Sequence, residues 1–130
     1  MIQDTSFIID VLNGDEDALA RLDLIEDERR PEKISSITVL ELYEGVAQTD
    51  RPEDEQEAVL SVLDSKTILA ADGNVMRQAG QISGELITNG ERIDREDCII
   101  AATALKEGEA VVTRNEDHFE RIPHLDVVSY

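Results

Sequence analysis

The sequence predicts an α/β fold built on a mostly parallel sheet. Two observations carry that expectation. Short apolar stretches suited to buried strands alternate with longer stretches whose apolar residues recur at the helical period. Of the 130 residues, 41% are hydrophobic, which is enough to give one domain a core and too many for a disordered chain. No repeat, low-complexity tract or Gly/Ser linker divides the sequence, so a single domain over residues 1–130 is expected.

Met1 to Asp4 reads as a short first strand. A helix opens near Thr5 or Ser6 and runs through Leu12, where Asn13-Gly14 ends it. A second helix covers Asp15 to Glu28. Lys33 to Ser36 is the next strand, and Thr38 to Val46 is helical. The polar stretch Asp50 to Glu57, with Pro52, reads as a helix–helix joint, and Arg51 to Leu63 is a further helix with a charged face. Lys66 to Ala70 is a strand. Asp72 caps a long helix in which Val75, Ala79, Ile82 and Leu86 share one face. Gly80 and Gly84, one turn apart, predict a close helix approach. Arg95 to Glu107 is a helix with a buried stripe of Ile100, Ala101, Ala104 and Leu105, and Gly108 is its C-cap. Glu109 to Thr113 is a strand, Asn115 to Glu120 a short helical turn, and Leu125 to Ser129 a final edge strand.

Composition narrows the function. Thirty Asp and Glu face 12 Lys and Arg, a formal charge of −18, and the acids are spread along the whole chain. Only three of the cations are lysines. Such a surface stays soluble in strong salt, which predicts a halophilic source. The same field repels phosphates and disfavours a basic-groove DNA binder. Two Phe and two Tyr are too few for a base-stacking platform. The longest largely apolar run, Cys98 to Leu105, spans 8 residues, far short of the roughly 20 of a membrane span. A lone Cys98 excludes an internal disulfide framework and a cysteine-rich zinc site. With no secretory leader pattern at the start, a cytoplasmic protein is expected.

In open α/β sheets ligands bind beyond the carboxyl ends of the strands. Asp4 closes the first expected strand, Glu41 and Asp97 lie in first helical turns, and Asn115 and Asp117 follow the Glu109–Thr113 strand. Ser6 and Thr113 are nearby hydroxyls. Carboxylates brought within a few Å repel unless a cation joins them. Oxygen donors without His or Cys select hard Mg²⁺ or Mn²⁺, which activates water and neutralises charge on a phosphodiester. Each acid also has a local explanation. Asp4 suits an N-cap, Thr38 and Glu41 have the spacing of a capping box, and Asp97 suits a helix dipole. His118 and His124 have no evident partner and read as loop or surface residues, Cys98 as a small core residue, and Tyr43 as packing. A phosphoacceptor receiver domain also gathers acids at strand ends, but it wants a Lys after a late strand, where this chain has Arg114-Asn115.

Four strings, in order, add a resemblance. Met1-Ile2-Gln3-Asp4-Thr5-Ser6-Phe7-Ile8-Ile9-Asp10 opens the chain, and Ser36-Ile37-Thr38-Val39-Leu40-Glu41-Leu42-Tyr43-Glu44-Gly45 follows. Asp97-Cys98-Ile99-Ile100-Ala101-Ala102-Thr103-Ala104-Leu105 is the third, and Val112 to Pro123, through Thr113-Arg114-Asn115-Glu116-Asp117-His118-Phe119, is the fourth. Over essentially its whole length the chain resembles PIN-domain ribonucleases, in particular the VapC toxins of type II toxin–antitoxin systems. The resemblance implies a Rossmann-like PIN fold and Mg²⁺- or Mn²⁺-dependent cleavage of RNA. It makes Asp4 and Asp97 the central metal ligands, Glu41 the third acid, and Ser6 a hydroxyl that orients the site. The family often has Asp where Asn115 stands, so the neutral amide holds at most a metal-bound water, with Asp117 as a possible extra acid. Arg114, with Ser6 and Thr113, is placed on the substrate side. Partners implied are an antitoxin of the VapB kind and a second copy of the chain. The alternative is a catalytically degenerate PIN module that only binds a protein partner, for which Asn115 speaks.

Overall fold

The computed structural model describes residues 1–130. Five strands, β1 (Ile2–Gln3), β2 (Lys33–Ser35), β3 (Thr67–Leu69), β4 (Val111–Thr113) and β5 (Val127–Ser129), form one sheet in the order β3-β2-β1-β4-β5. Every pairing is parallel. Between them run α1 (Thr5–Leu12), α2 (Glu16–Asp27), α3 (Ser36–Gln48), α4 (Pro52–Leu63), α5 (Gly73–Thr88), α6 (Arg95–Glu107) and the single turn α7 (Glu116–Phe119). Parallel strands need such helical crossovers, and the crossovers cover both faces of the sheet.

The core accordingly lies in two halves. Ile2 and Val111 pack with Val75, Ala79, Leu86, Ile100, Ala101 and Phe119, under α5 and α6. Ile34 and Val112 pack with Phe7, Ile8, Ala18, Ile25, Leu42 and Val59, under α1 to α4. Val111 and Val112 fall in different halves because successive side chains of a strand point to opposite faces.

The expected elements are present with shorter strands. Asp4, expected to close the first strand, is the N-cap of α1. Helix α3 starts at Ser36, two residues before the expected Thr38, because the Ser35 hydroxyl accepts the Ile37 N–H at 3.3 Å. Helix α6 is buried from Cys98 through Ala104 rather than along a stripe, since α5, α3, α7 and the sheet surround it. Gly108 adopts the left-handed conformation that ends it, with φ 65°. Helix α5 packs closely on α6, as expected, but Gly80 and Gly84 do not make the contact: a Cβ at either position would meet nothing within 4 Å. Cys98 is buried as expected, and Tyr43 packs partly buried against the α1–α4 half of the core. No helix is long and apolar enough to cross a membrane.

Candidate active site

The chain crosses from β1 to β2 and β3 on one side, then to β4 and β5 on the other. The strand order therefore reverses at the β1–β4 pair, where an open α/β sheet leaves a crevice at its carboxyl ends. Asp4 follows β1 and Thr113 ends β4 at this crevice.

Asp4 is 1% exposed. As N-cap of α1 it accepts the Phe7 N–H at 2.8 Å. Ser6 Oγ donates to its two oxygens at 3.0 and 2.9 Å, and Thr113 Oγ1 donates to Oδ2. Burial pushes this carboxyl above its ordinary range. The Thr113, Phe7 and Ser6 hydrogen bonds pull the other way without cancelling the rise, and Asp10 adds to it.

Glu41 reaches the site from α3. Thr5 Oγ1, at the start of α1, donates to Glu41 Oε1 at 2.7 Å and lies 3.1 Å from Thr38 Oγ1. The capping box expected of Thr38 and Glu41 is therefore absent: Ser35 takes the N-cap, Thr38 is buried inside the helix, and Glu41 is engaged across elements. Burial raises Glu41, Thr5 opposes the rise, and Glu96, Glu44 and Asp4 add to it.

Asp97 occupies the first turn of α6. Burial and the charge of Asp4 lift it to about 6, against an opposing contribution from His118. His118 comes from α7, which Phe119, fully buried, anchors. Its Nδ1 stands 3.5 Å from Asp97 Oδ2. His118 thus faces the site, where the sequence offered it no partner.

Asp4 caps α1, and Asp97 lies in the first turn of α6. Glu41, expected in a first turn, lies in the second turn of α3 because that helix starts at Ser36. Hydroxyls and an amide hold Asp4 and Glu41, and no Lys or Arg pairs with any of the three. All three are pushed up, Asp97 and Glu41 in part by the charge of Asp4. The donor chemistry fits a hard divalent cation, which would relieve that penalty. The expected crowding is met in charge and not in contact: no three His, Cys, Asp or Glu side chains close on a single point. The reason is local. Ser6, Thr113 and Phe7 hold Asp4 at the start of α1, while Thr5 holds Glu41.

The other expected site residues divide. Ser6 and Thr113, placed on the substrate side, spend their hydroxyls on Asp4. Asn115 is exposed, and its backbone N–H donates to Thr113 Oγ1 at 2.9 Å. Asp117 is exposed on α7. Arg114 does not present a free charge to the crevice. Its Nε is 3.3 Å from Asp10, its NH2 nitrogen 2.8 Å from Asp15, and its guanidinium stacks 4.8 Å from the Tyr130 ring centroid. Tyr130 in turn donates to Asp10 at 2.5 Å and packs edge-on to Phe7. Neither the Thr5–Glu41 contact nor this Arg114 network was visible in the sequence. Both join residues with no shared spacing.

The PIN domain family model matches residues 1–125. The chain belongs to the PIN domain family. Within it, the chain is 37% identical over 89 residues to the ribonuclease VapC2 of Haemophilus influenzae, covering 68% of this chain and 67% of that protein. It is 35% identical over 94 residues to the tRNA(fMet)-specific endonuclease VapC of Salmonella typhimurium, covering 72% and 71%. Its fold is similar to that of a chain in VapBC2 from Rickettsia felis bound to a promoter DNA fragment, with TM-score 0.89 and 26% identity over 99% of this PIN domain and 97% of that chain.

Proposed function

We propose that this PIN domain is a divalent-metal-dependent endoribonuclease, the toxin of a type II toxin–antitoxin module. One observation carries the reading. Asp4 lies at the strand-order reversal, its charge reaches both Glu41 and Asp97, all three carboxyls are raised, and no Lys or Arg of the chain pairs with any of them. The names of the VapC relatives, ribonuclease and tRNA-specific endonuclease, support the same chemistry.

Asp4 and Asp97 are the proposed central ligands of Mg²⁺ or Mn²⁺, with Glu41 as third acid. A bound ion would acidify a water and offset charge on the phosphodiester. The chain's own groups prepare the site. Ser6, Thr113 and the Phe7 N–H fix the Asp4 carboxylate, and Thr5 fixes Glu41. Asn115 and Asp117, exposed beside the crevice, are positioned to meet substrate or water and bring at most one further charge. The chain's net charge of −18 opposes an approaching phosphate backbone, and a cation held by Asp4, Asp97 and Glu41 would lower that barrier. A basic antitoxin segment suits the acidic surface, and the VapBC complexes among the fold's neighbours support such a partner. A homodimer, a cytoplasmic setting and a high-salt source complete the proposal.

The test is incubation of the full chain with purified transfer, ribosomal and messenger RNAs, with Mg²⁺, with Mn²⁺ and with chelator. Cleavage that needs the ion and disappears in Asp4→Ala is expected. Undiminished cleavage by Asp4→Ala rejects the assignment. A chain that binds an antitoxin and cuts nothing with either ion is the binding module instead.

A further inference from the structure

We propose that His118 is a nitrogen ligand of the divalent ion, so that the site prefers Mn²⁺ to Mg²⁺. The inference rests on the proposed metal site and adds a donor that an all-oxygen reading of it lacks. Three observations carry it. His118 Nδ1 is buried and has no hydrogen-bond partner, although the side chain as a whole is 41% exposed. A buried nitrogen without a partner is the kind of group that an ion or water satisfies. The nearest acid is Asp97, one of the proposed central ligands, at 3.5 Å, a contact that does not form a hydrogen bond. Two donors each about 2.1 Å from one ion stand about 3.0 to 3.4 Å apart at octahedral or tetrahedral angles, so the pair is already close to the edge of a coordination shell.

Charge makes the imidazole useful here. Asp4 already repels both Glu41 and Asp97, and a fourth carboxylate would deepen that penalty. A neutral imidazole adds a donor at no such cost. Asn115 is also neutral but exposed, and Asp117, next to His118 on the single turn α7, is exposed as well, so His118 is the α7 side chain that faces Asp97. Imidazole suits transition ions, whereas Mg²⁺ favours oxygen. The selectivity therefore follows from the type of donor.

The experiment is pulsed electron paramagnetic resonance on the full chain loaded with Mn²⁺, together with calorimetric titrations of Mn²⁺ and of Mg²⁺. Nitrogen-14 modulation of the Mn²⁺ signal is expected in the parent and in His124→Ala, and is expected to vanish in His118→Ala. In His118→Ala and His118→Gln, Mn²⁺ affinity is expected to fall about tenfold while Mg²⁺ affinity changes less than about twofold. Bound Mn²⁺ without nitrogen modulation in the parent overturns the inference, and so does an equal loss of both affinities. A parent chain that binds neither ion overturns the metal site itself, a distinct result. The parent spectrum needs no variant, so a variant that fails to fold does not blunt the test.

Discussion

The two ends of the sheet treat their buried and half-buried carboxylates in opposite ways. At the amino ends of the strands, Glu109 accepts from Lys33 Nζ at 2.8 Å and from the chain's terminal ammonium at 2.6 Å. Glu32 accepts from Lys66 Nζ at 2.9 Å and from Gln3 Nε2 at 3.0 Å. Bonding to Lys33 holds Glu109 below the ordinary carboxylate range. Burial pushes Glu32 up, but Gln3 and Lys66 outweigh it and leave it low. At the carboxyl ends, Asp4, Glu41 and Asp97 are all raised. Exposure does not explain the contrast, because the Glu32 side chain is 14% exposed and that of Asp97 16%. The partner explains it. One end is neutralised by the chain's own cations, whereas the carboxyls at the other end have no Lys or Arg partner and stay raised, which suits the proposed cation site.

The strongest way to break this comparison is Asp97→Asn. Cleavage is expected to fall about a hundredfold or more. The metal-free protein should at the same time melt a few degrees higher, because a like charge has been removed from Asp4. A variant that loses activity and also stability would show that Asp97 supports the fold and is not a frustrated ligand.

The pH dependence sharpens the same point. Asp97 has a folded value of about 6, above its unfolded value of 3.8. Below the unfolded value the folded state carries no penalty from this group, and the penalty grows as pH rises through about 6. The melting difference between Asp97→Asn and the parent should therefore be small near pH 4 and reach its full size above pH 6. Saturating Mg²⁺ should remove it. The charge of Asp4 contributes to the rise of Asp97, so carbon-detected NMR of both carboxyls is the direct check.

Lys66→Met tests the opposite end. With its cation gone, Glu32 should move up toward the behaviour of Asp97. The fold should lose on the order of 1–3 kcal/mol in denaturant titrations, because Glu32 keeps only its Gln3 partner. Cleavage per folded molecule should not change, since this end takes no part in the site. The smallest effect is expected from Thr113→Val. It removes one hydrogen bond that steadies Asp4, should raise the Asp4 carboxyl further, and should cost about tenfold in cleavage with little loss of melting temperature.

What could be read from the chain was whatever depends on neighbours in sequence. Alternating apolar periods marked nearly every helix and strand, because burial of one face is a local pattern. The cap at Asp72 and the Gly108 terminus were visible for the same reason. So was the set of acids, as residue types at helix starts. Thr38 and Glu41 mark where that reading stops. Their spacing matched a capping box, but a hydroxyl from another helix captured the glutamate. His118 read as a loop or surface residue and instead faces Asp97, and Arg114, placed on the substrate side, pairs with Asp10 and Asp15.

Sequence by itself determined the elements, their order and the acidic side chains available for chemistry, since each follows from local propensity and period. Tertiary structure alone decided which charges meet a partner and which do not. That depends on distances of a few Å between segments about 20 to 110 residues apart, and no spacing rule encodes them.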